Sequence, residues 1–261
     1  MSPHPLAPTR AELLEIFRMR HGDLESTGWQ PRMRQRFGHF TPDEHYEALV
    51  AKLVTDGCRW LDVGCGRKLF PSNVELAETL SKRAGHLTGV DPDETLDENP
   101  FVHEKVRGLI DDFEPRREYD VVTLRMVAEH IADPARAVAT IRRCLAPGGR
   151  AVIYTVNRWS PVPLVTGLVP FRLRHPIKKA LWRTESVDTF PTCFRMNTRA
   201  TLRRQFAAEG VEEEFFTKLD DCRSFARFRV TSWLELAAWR ALRAVGLHYP
   251  ENCLLGVYRR P

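Results

Sequence analysis

Leu61-Asp62-Val63-Gly64-Cys65-Gly66 places two glycines directly after a short apolar run. Two residues without a Cβ let the backbone turn tightly and come close to a ligand that side chains would exclude. Further on, Gly89-Val90-Asp91 ends a second apolar run with an acid, and a carboxylate there can accept both hydroxyls of a ribose. A lone Gly-x-Gly is common in loops, and an Asp in a turn is often only solvated; the two in this order carry more weight. They count against a dinucleotide site, because Leu69 stands where the third glycine of Gly-x-Gly-x-x-Gly belongs. Glu129-His130 adds an imidazole whose ordinary pKa near 6.5 suits a general base. A packing or hydrogen-bonding histidine is the competing reading.

These residues need strands and helices to hold them. Cys58–Val63 reads as a buried strand, and Ser72 with Glu75 forms a capping box for a helix towards Lys82. Strands are expected at His86–Val90, around Phe101–Val106, at Tyr119–Leu124 and at Arg150–Val156. Between the last two, a helix opens at Asp133-Pro134 and is stopped by Pro147-Gly148-Gly149. This alternation predicts an α/β fold with a doubly wound, mostly parallel sheet. Ahead of it, Thr9–Phe40 reads as one or two short helices, and Thr41-Pro42-Asp43-Glu44 as another helix start. We expect residues 1–40 to form a helical extension and 41–261 the main domain, with cap insertions at about 158–196 and 222–250. A capped helix from Asn197 or Thr198 to Gly210 and strands at Val211–Lys218 and Cys253–Tyr258 follow.

The chain has 261 residues, a net charge of +5 and 43% hydrophobic residues. That is enough for one sizeable core. The mild basicity admits an anionic substrate, a nucleic acid or an acidic membrane surface without selecting one. Six cysteines (Cys58, Cys65, Cys144, Cys193, Cys222 and Cys253) show no CxxC spacing, and no metal site is expected. With neither a secretory leader nor a membrane-spanning apolar run in view, a cytoplasmic setting is the default.

Asp62-Val63-Gly64-Cys65-Gly66, Asp91-Pro92, Glu129-His130 and Leu145-Ala146-Pro147-Gly148-Gly149 stand in the order seen in class I methyltransferases. The chain resembles the ubiquinone/menaquinone-biosynthesis-like, small-molecule branch of these enzymes over about residues 40–157, and more thinly beyond. The resemblance implies a Rossmann-like sheet whose last strands form an antiparallel hairpin, with S-adenosyl-L-methionine as cofactor. It implies that Asp62 helps hold the cofactor's amino group, and that Gly64 and Gly66 line its methionine and ribose. Asp91 would take the ribose hydroxyls, Pro92 would shape the adenine side, and Ile110 and Asp111 would flank the adenine, with Asp112 competing for the role of Asp111. Leu124 and Arg125 would meet the sulfonium and the acceptor. The loop Arg67-Lys68-Leu69-Phe70-Pro71 departs from the family by its length, and Arg67 is a candidate partner for the methionine carboxylate.

The expected activity is methyl transfer to a small-molecule or lipid- or glycan-linked acceptor, at a hydroxyl oxygen, by in-line displacement. Phe190, Phe194, Arg195 and Asn197 are the candidate acceptor wall, although core packing accounts for the aromatics and helix capping for Asn197. Val162–Phe171, with the basic residues after it, and Val230–Val245, with Trp233, Leu234, Ala237 and Ala241 on one face, can lie on a membrane. Packing on the domain itself is the favoured reading. Nucleic-acid methylation is disfavoured: Thr123-Leu124-Arg125-Met126 stands where amine-methylating enzymes carry an Asn/Asp-Pro-Pro-aromatic turn, and Cys193 does not directly follow a proline. A non-catalytic cofactor-binding partner is the alternative from another class.

Overall fold

A computed structural model describes residues 4–160, 191–223 and 225–261. Seven strands form one sheet in the order β3-β2-β1-β4-β5-β7-β6. They are β1 (Arg59–Val63), β2 (His86–Asp91), β3 (Glu104–Arg107), β4 (Tyr119–Arg125), β5 (Leu145–Val156), β6 (Glu212–Asp220) and β7 (Glu251–Arg259). The first five run parallel, and β7 pairs antiparallel with both β5 and β6. The expected mostly parallel sheet with its closing antiparallel hairpin is therefore present.

Helices cover both faces. One layer holds α1 (Arg10–His21), α3 (Pro42–Leu53) and α4 (Val74–Arg83); the other holds α5 (Pro134–Cys144) and α6 (Arg199–Ala208). Side chains alternate along each strand, so Trp60 joins the first layer's core with Leu49, Leu76 and Leu80, while Leu61 joins the second with Val122, Ile141 and Phe206. Leu13, Ile16 and Phe17 of α1 belong to the first core, which ties the amino-terminal helices to the sheet. Strand order reverses between β1 and β4, and such a switch point opens a crevice at the carboxyl ends of the strands.

Several boundaries differ from expectation for local reasons. Asn73, not Ser72, caps α4: its Oδ1 accepts from Leu76 N–H at 3.1 Å. β3 starts at Glu104 because Phe101 N–H is drawn back onto Asn99 Oδ1, holding the chain in a turn. β5 starts at Leu145, where it already pairs with Tyr119 before a register shift. Within 222–250 lies α7 (Arg229–Ala244), which packs against α2 (Trp29–Phe37). Of the other expected insertion, only 158–160 and 191–196 are described; Val162–Phe171 and Phe190 lie outside the described residues. No helix among the described residues is long and apolar enough to cross a membrane.

Candidate active site

The glycine loop leaves β1 at the switch point. Gly64 has φ +73°, and a Cβ there would lie 2.2 Å from Val127 Cγ2, so the position needs glycine on two counts. Gly89 allows the next close approach, since a Cβ on it would stand 2.6 Å from Cys65 Sγ. Asn99, fully buried, donates from Nδ2 to Gly66 O at 3.0 Å and fastens the loop from below. The longer segment that follows is anchored by Leu69 and Phe70, both buried, with Phe70 against Trp60 and Tyr46.

Three carboxylates line up along the carboxyl edge of the sheet. Asp91 ends β2 and accepts from Gly66 N–H and Asp93 N–H, both at 2.8 Å, one on each oxygen. These bonds fix its plane and leave lone pairs on both oxygens for ribose hydroxyls. Asp62 is buried beneath, and its Oδ1 accepts from Thr123 Oγ1 at 2.6 Å, which in turn accepts from Trp60 Nε1 at 2.7 Å. Burial pushes the Asp62 carboxyl up to about 7 against the counter-pull of Thr123 and Arg125. Asp111 sits in the turn after β3; its Oδ1 is buried without a hydrogen-bond partner, and burial followed by Asp133 raises its pKa. Asp112 is engaged with the Arg136 guanidinium.

These features fit a nucleoside bearing an amino-acid tail. In such a ligand a ribose would find an oriented acceptor in Asp91, an exocyclic amine the orphaned Asp111 oxygen, and an ammonium would supply the counter-charge that buried Asp62 lacks. Ile110 is buried beside Asp111, and Pro92 is half-buried after Asp91. Arg67 is paired with Glu98 at 2.8 Å, both side chains more than half exposed, so meeting a methionine carboxylate means leaving a surface ion pair, usually worth less than ~1 kcal/mol. The Leu124 side chain is fully buried in the second core, which leaves only its backbone at the crevice.

Arg125 turns to the other layer, where a polar cluster lies at the tip of β4. Its Nη2 is 2.9 Å from Asp43 Oδ1, and Arg20 and Arg223 stand 3.7 and 3.5 Å from Asp43 Oδ2. Burial works to raise Asp43, but Arg125, Arg223 and Arg20 outweigh it and hold the carboxyl below its usual range. Arg125 Nε is buried with no hydrogen bond, and Arg20 Nη1 lies 3.3 Å from Glu47 Oε1 as an ion pair. Met126 follows with φ +53°, a left-handed conformation that non-glycine residues rarely hold outside functional sites.

Across the crevice, residues 191–197 are pinned to the loop after β4. Glu129 O accepts from Cys193 N–H at 2.7 Å and Phe194 N–H at 3.1 Å. The Glu129 side chain accepts from Thr155 Oγ1, which also accepts from Asn197 Nδ2 at 2.8 Å. Asn197 is fully buried, with a second Nδ2 bond to Val156 O that braces residues 191–197, while its Oδ1 has no hydrogen-bond partner. Thr198 caps α6. Phe194 is half-buried at φ +52°, and Arg195 reaches over to Ala132 O at 2.6 Å. His130 Nδ1 lies 3.2 Å from Pro191 O; a carbonyl only accepts, so the proton sits on Nδ1 and Nε2 is the accepting nitrogen.

Asp43, Asn99, Thr123 and Met126 were not foreseen from the sequence. Asp43 looked like a helix-start acid, and the other three carry no local signal.

Comparison with known proteins identifies the family. A family model described as "Methyltransferase domain" matches residues 32–212. The ubiquinone biosynthesis O-methyltransferase of Marinobacter nauticus is 30% identical over 151 residues, 52% of this chain and 59% of that protein. The enzyme of the same name from Coxiella burnetii is 26% identical over 145 residues, with the same two shares. The chain therefore spans little more than half the length of these relatives. In fold, it is similar to an S-adenosylmethionine-dependent methyltransferase from Mesorhizobium loti, with a TM-score of 0.52 at 20% identity over 84% of this chain and all of that one. The YcgJ protein of Bacillus subtilis gives 0.52 at 15% identity over 83% and 98%.

Proposed function

Because the chain belongs to the class I, S-adenosylmethionine-dependent methyltransferases, we propose that its acceptor is a small molecule methylated at a hydroxyl oxygen, with His130 as the base. When bound, S-adenosylmethionine supplies a methyl group already activated on a sulfonium. The protein's part is then to bind, orient and deprotonate. Asp91, Asp111 and Asp62 are assigned to the ribose, the adenine amine and the ammonium, with Ile110, Pro92 and the Gly64–Gly66 backbone shaping the walls.

The observation that carries the acceptor reading is the His130 ring, whose Nδ1 lies 3.2 Å from Pro191 O, beside the segment that Glu129 fastens. A hydroxyl must lose a proton as its oxygen is methylated, and a placed base contributes about 10²–10⁴-fold. Phe194 and Arg195 follow in the segment that Glu129 fastens opposite, and we assign them to the acceptor's wall. The O-methyltransferase names of the relatives point the same way.

The test is transfer of a radiolabelled methyl group to a panel of catechols and other hydroxylated aromatics, by wild type and His130→Gln. We expect kcat to fall about 100-fold or more in the variant, with S-adenosylhomocysteine binding intact. An unchanged kcat removes His130 from the reaction. Cofactor binding with no transfer to any acceptor favours a non-catalytic partner protein.

A further inference from the structure

α7 carries two opposite stripes. One, formed by Ser232, Glu235, Leu236 and Trp239, is buried against the domain. The other runs through Val230, Trp233, Leu234, Ala238, Ala241 and Val245, all exposed, at the three- and four-residue spacing of one helix face. Val230 and Val245 are 71% and 70% exposed, and Leu234 is 54% exposed. Phe225 and Phe228 before the helix and Leu247 after it extend the same exposure. A 16-residue helix is about 24 Å long, so this is a continuous apolar ridge and not scattered surface residues.

Its charge is one-sided. Between Arg227 and Leu247 stand four arginines (Arg227, Arg229, Arg240 and Arg243) and a single acid, Glu235. Glu235 is buried and occupied, accepting from Tyr249 Oη at 2.8 Å and Phe225 N–H at 3.1 Å. Arg229 and Arg240, both exposed, fall along one flank of the stripe by helical spacing. Trp233 is held edge-on to Phe37, with ring centroids 6.2 Å apart, so the indole is positioned while 46% exposed.

We propose that this face of α7 is a docking surface for an anionic lipid bilayer, lying in the interface with its apolar stripe down and its arginines at headgroup level. Charge selects this occupant: a second copy would bring its own Arg229 and Arg240 against these two, whereas an acidic leaflet is complementary to them. An apolar helix face flanked by arginines, with an indole at its edge, matches the layering of hydrocarbon below and phosphate above. The helix would lie flat on the membrane, without spanning it.

The test is cosedimentation of the full chain with vesicles of equal parts phosphatidylglycerol and phosphatidylcholine, and with vesicles of phosphatidylcholine alone. We expect binding to the first, release in high salt, and little binding to the second. Val230→Asp/Leu234→Asp and, separately, Arg229→Glu/Arg240→Glu should each lower the bound fraction about tenfold or more. Circular dichroism melts should match wild type, since all four side chains are exposed. No binding, or equal binding to both vesicles, overturns the proposal. Light scattering that shows a dimer dispersed by Val230→Asp/Leu234→Asp assigns the face to a second copy and overturns it as well.

Discussion

S-adenosylhomocysteine should bind more weakly as pH falls through about 7, because its ammonium calls for an ionised Asp62. An exposed aspartate titrates near 3.9, whereas burial holds Asp62 up to about 7. The ligand-free protein thus keeps this group largely ionised at pH 8 and only ~3% ionised at pH 5.5. If the bound ammonium returns the carboxyl to its ordinary range, affinity drops ~30-fold between those pH values, or ~2 kcal/mol. Calorimetric titrations in two buffers of different ionisation heat should count about half a proton released on binding at pH 7. Glu47 also titrates near 7, chiefly through burial, so Asp62→Asn is the control. Its asparagine oxygen can still accept from Thr123, but the charge is gone; the pH profile should flatten and affinity at pH 8 fall about 10- to 100-fold. The sign for folding is the reverse. Between about 4 and 7 the native state holds a proton that the unfolded chain has released, so Asp62 costs stability as pH rises, up to roughly 4 kcal/mol. Ligand-free Asp62→Asn should therefore melt higher than wild type at pH 8. A wild-type affinity constant from pH 5.5 to 8, with no dependence on buffer, refutes this account of Asp62.

Gly64→Ala combines a left-handed backbone with a clash on Val127. It should lose about 2–4 kcal/mol in denaturant unfolding, and a Val127→Ala background should restore part of this. Asp43→Asn leaves half-buried Arg125 without its ion-pair partner, while Arg20 keeps Glu47 and Arg223 keeps Asp221, and should cost about 3 kcal/mol in urea unfolding. Asp43 has a depressed pKa, so its contribution is present above about 4 and lost as pH falls through its folded value. The melting temperature of wild type should accordingly fall more steeply below pH 4 than that of the variant.

The sheet was legible because buried parallel strands are short apolar runs set between capped helices, and Asp91 ends β2 where its apolar run ends. The cofactor edge was legible for a related reason: tight turns and close approaches demand glycine, and glycine is visible in a sequence. The polar cluster at the tip of β4 was much less so. Asp43 meets Arg125 82 positions away and Arg223 180 positions away, and ion pairs at such separations leave no periodicity to read. Asn197 illustrates the opposite failure. Its place before a helix suggested capping or acceptor contact, yet its Nδ2 donates to Thr155 and Val156, partners fixed only once β5 stands beside it. For α7 the pattern showed two faces but not which would be covered, since that is decided by α2, nearly two hundred residues earlier.

The sheet order also sets a schedule for synthesis. β5 carries Ala151-Val152-Ile153-Tyr154, and the strand that covers its outer edge is β7, which emerges after β6 and α7. Until Glu251–Arg259 is inserted, a long, β-prone edge, uncharged from Ala151 to Val156, stands open beside the centre of the sheet, the kind of template on which chains pair with one another. The finished edges carry the opposite character: Glu212-Glu213-Glu214 begin β6 and Glu104-Lys105-Val106-Arg107 make up β3. The folded protein is therefore guarded against edge-to-edge association, while a chain halted before β7 is exposed to it. Ribosome stalling or truncation in that stretch should send the product into inclusion bodies, even though every residue of the candidate cofactor site has already been made.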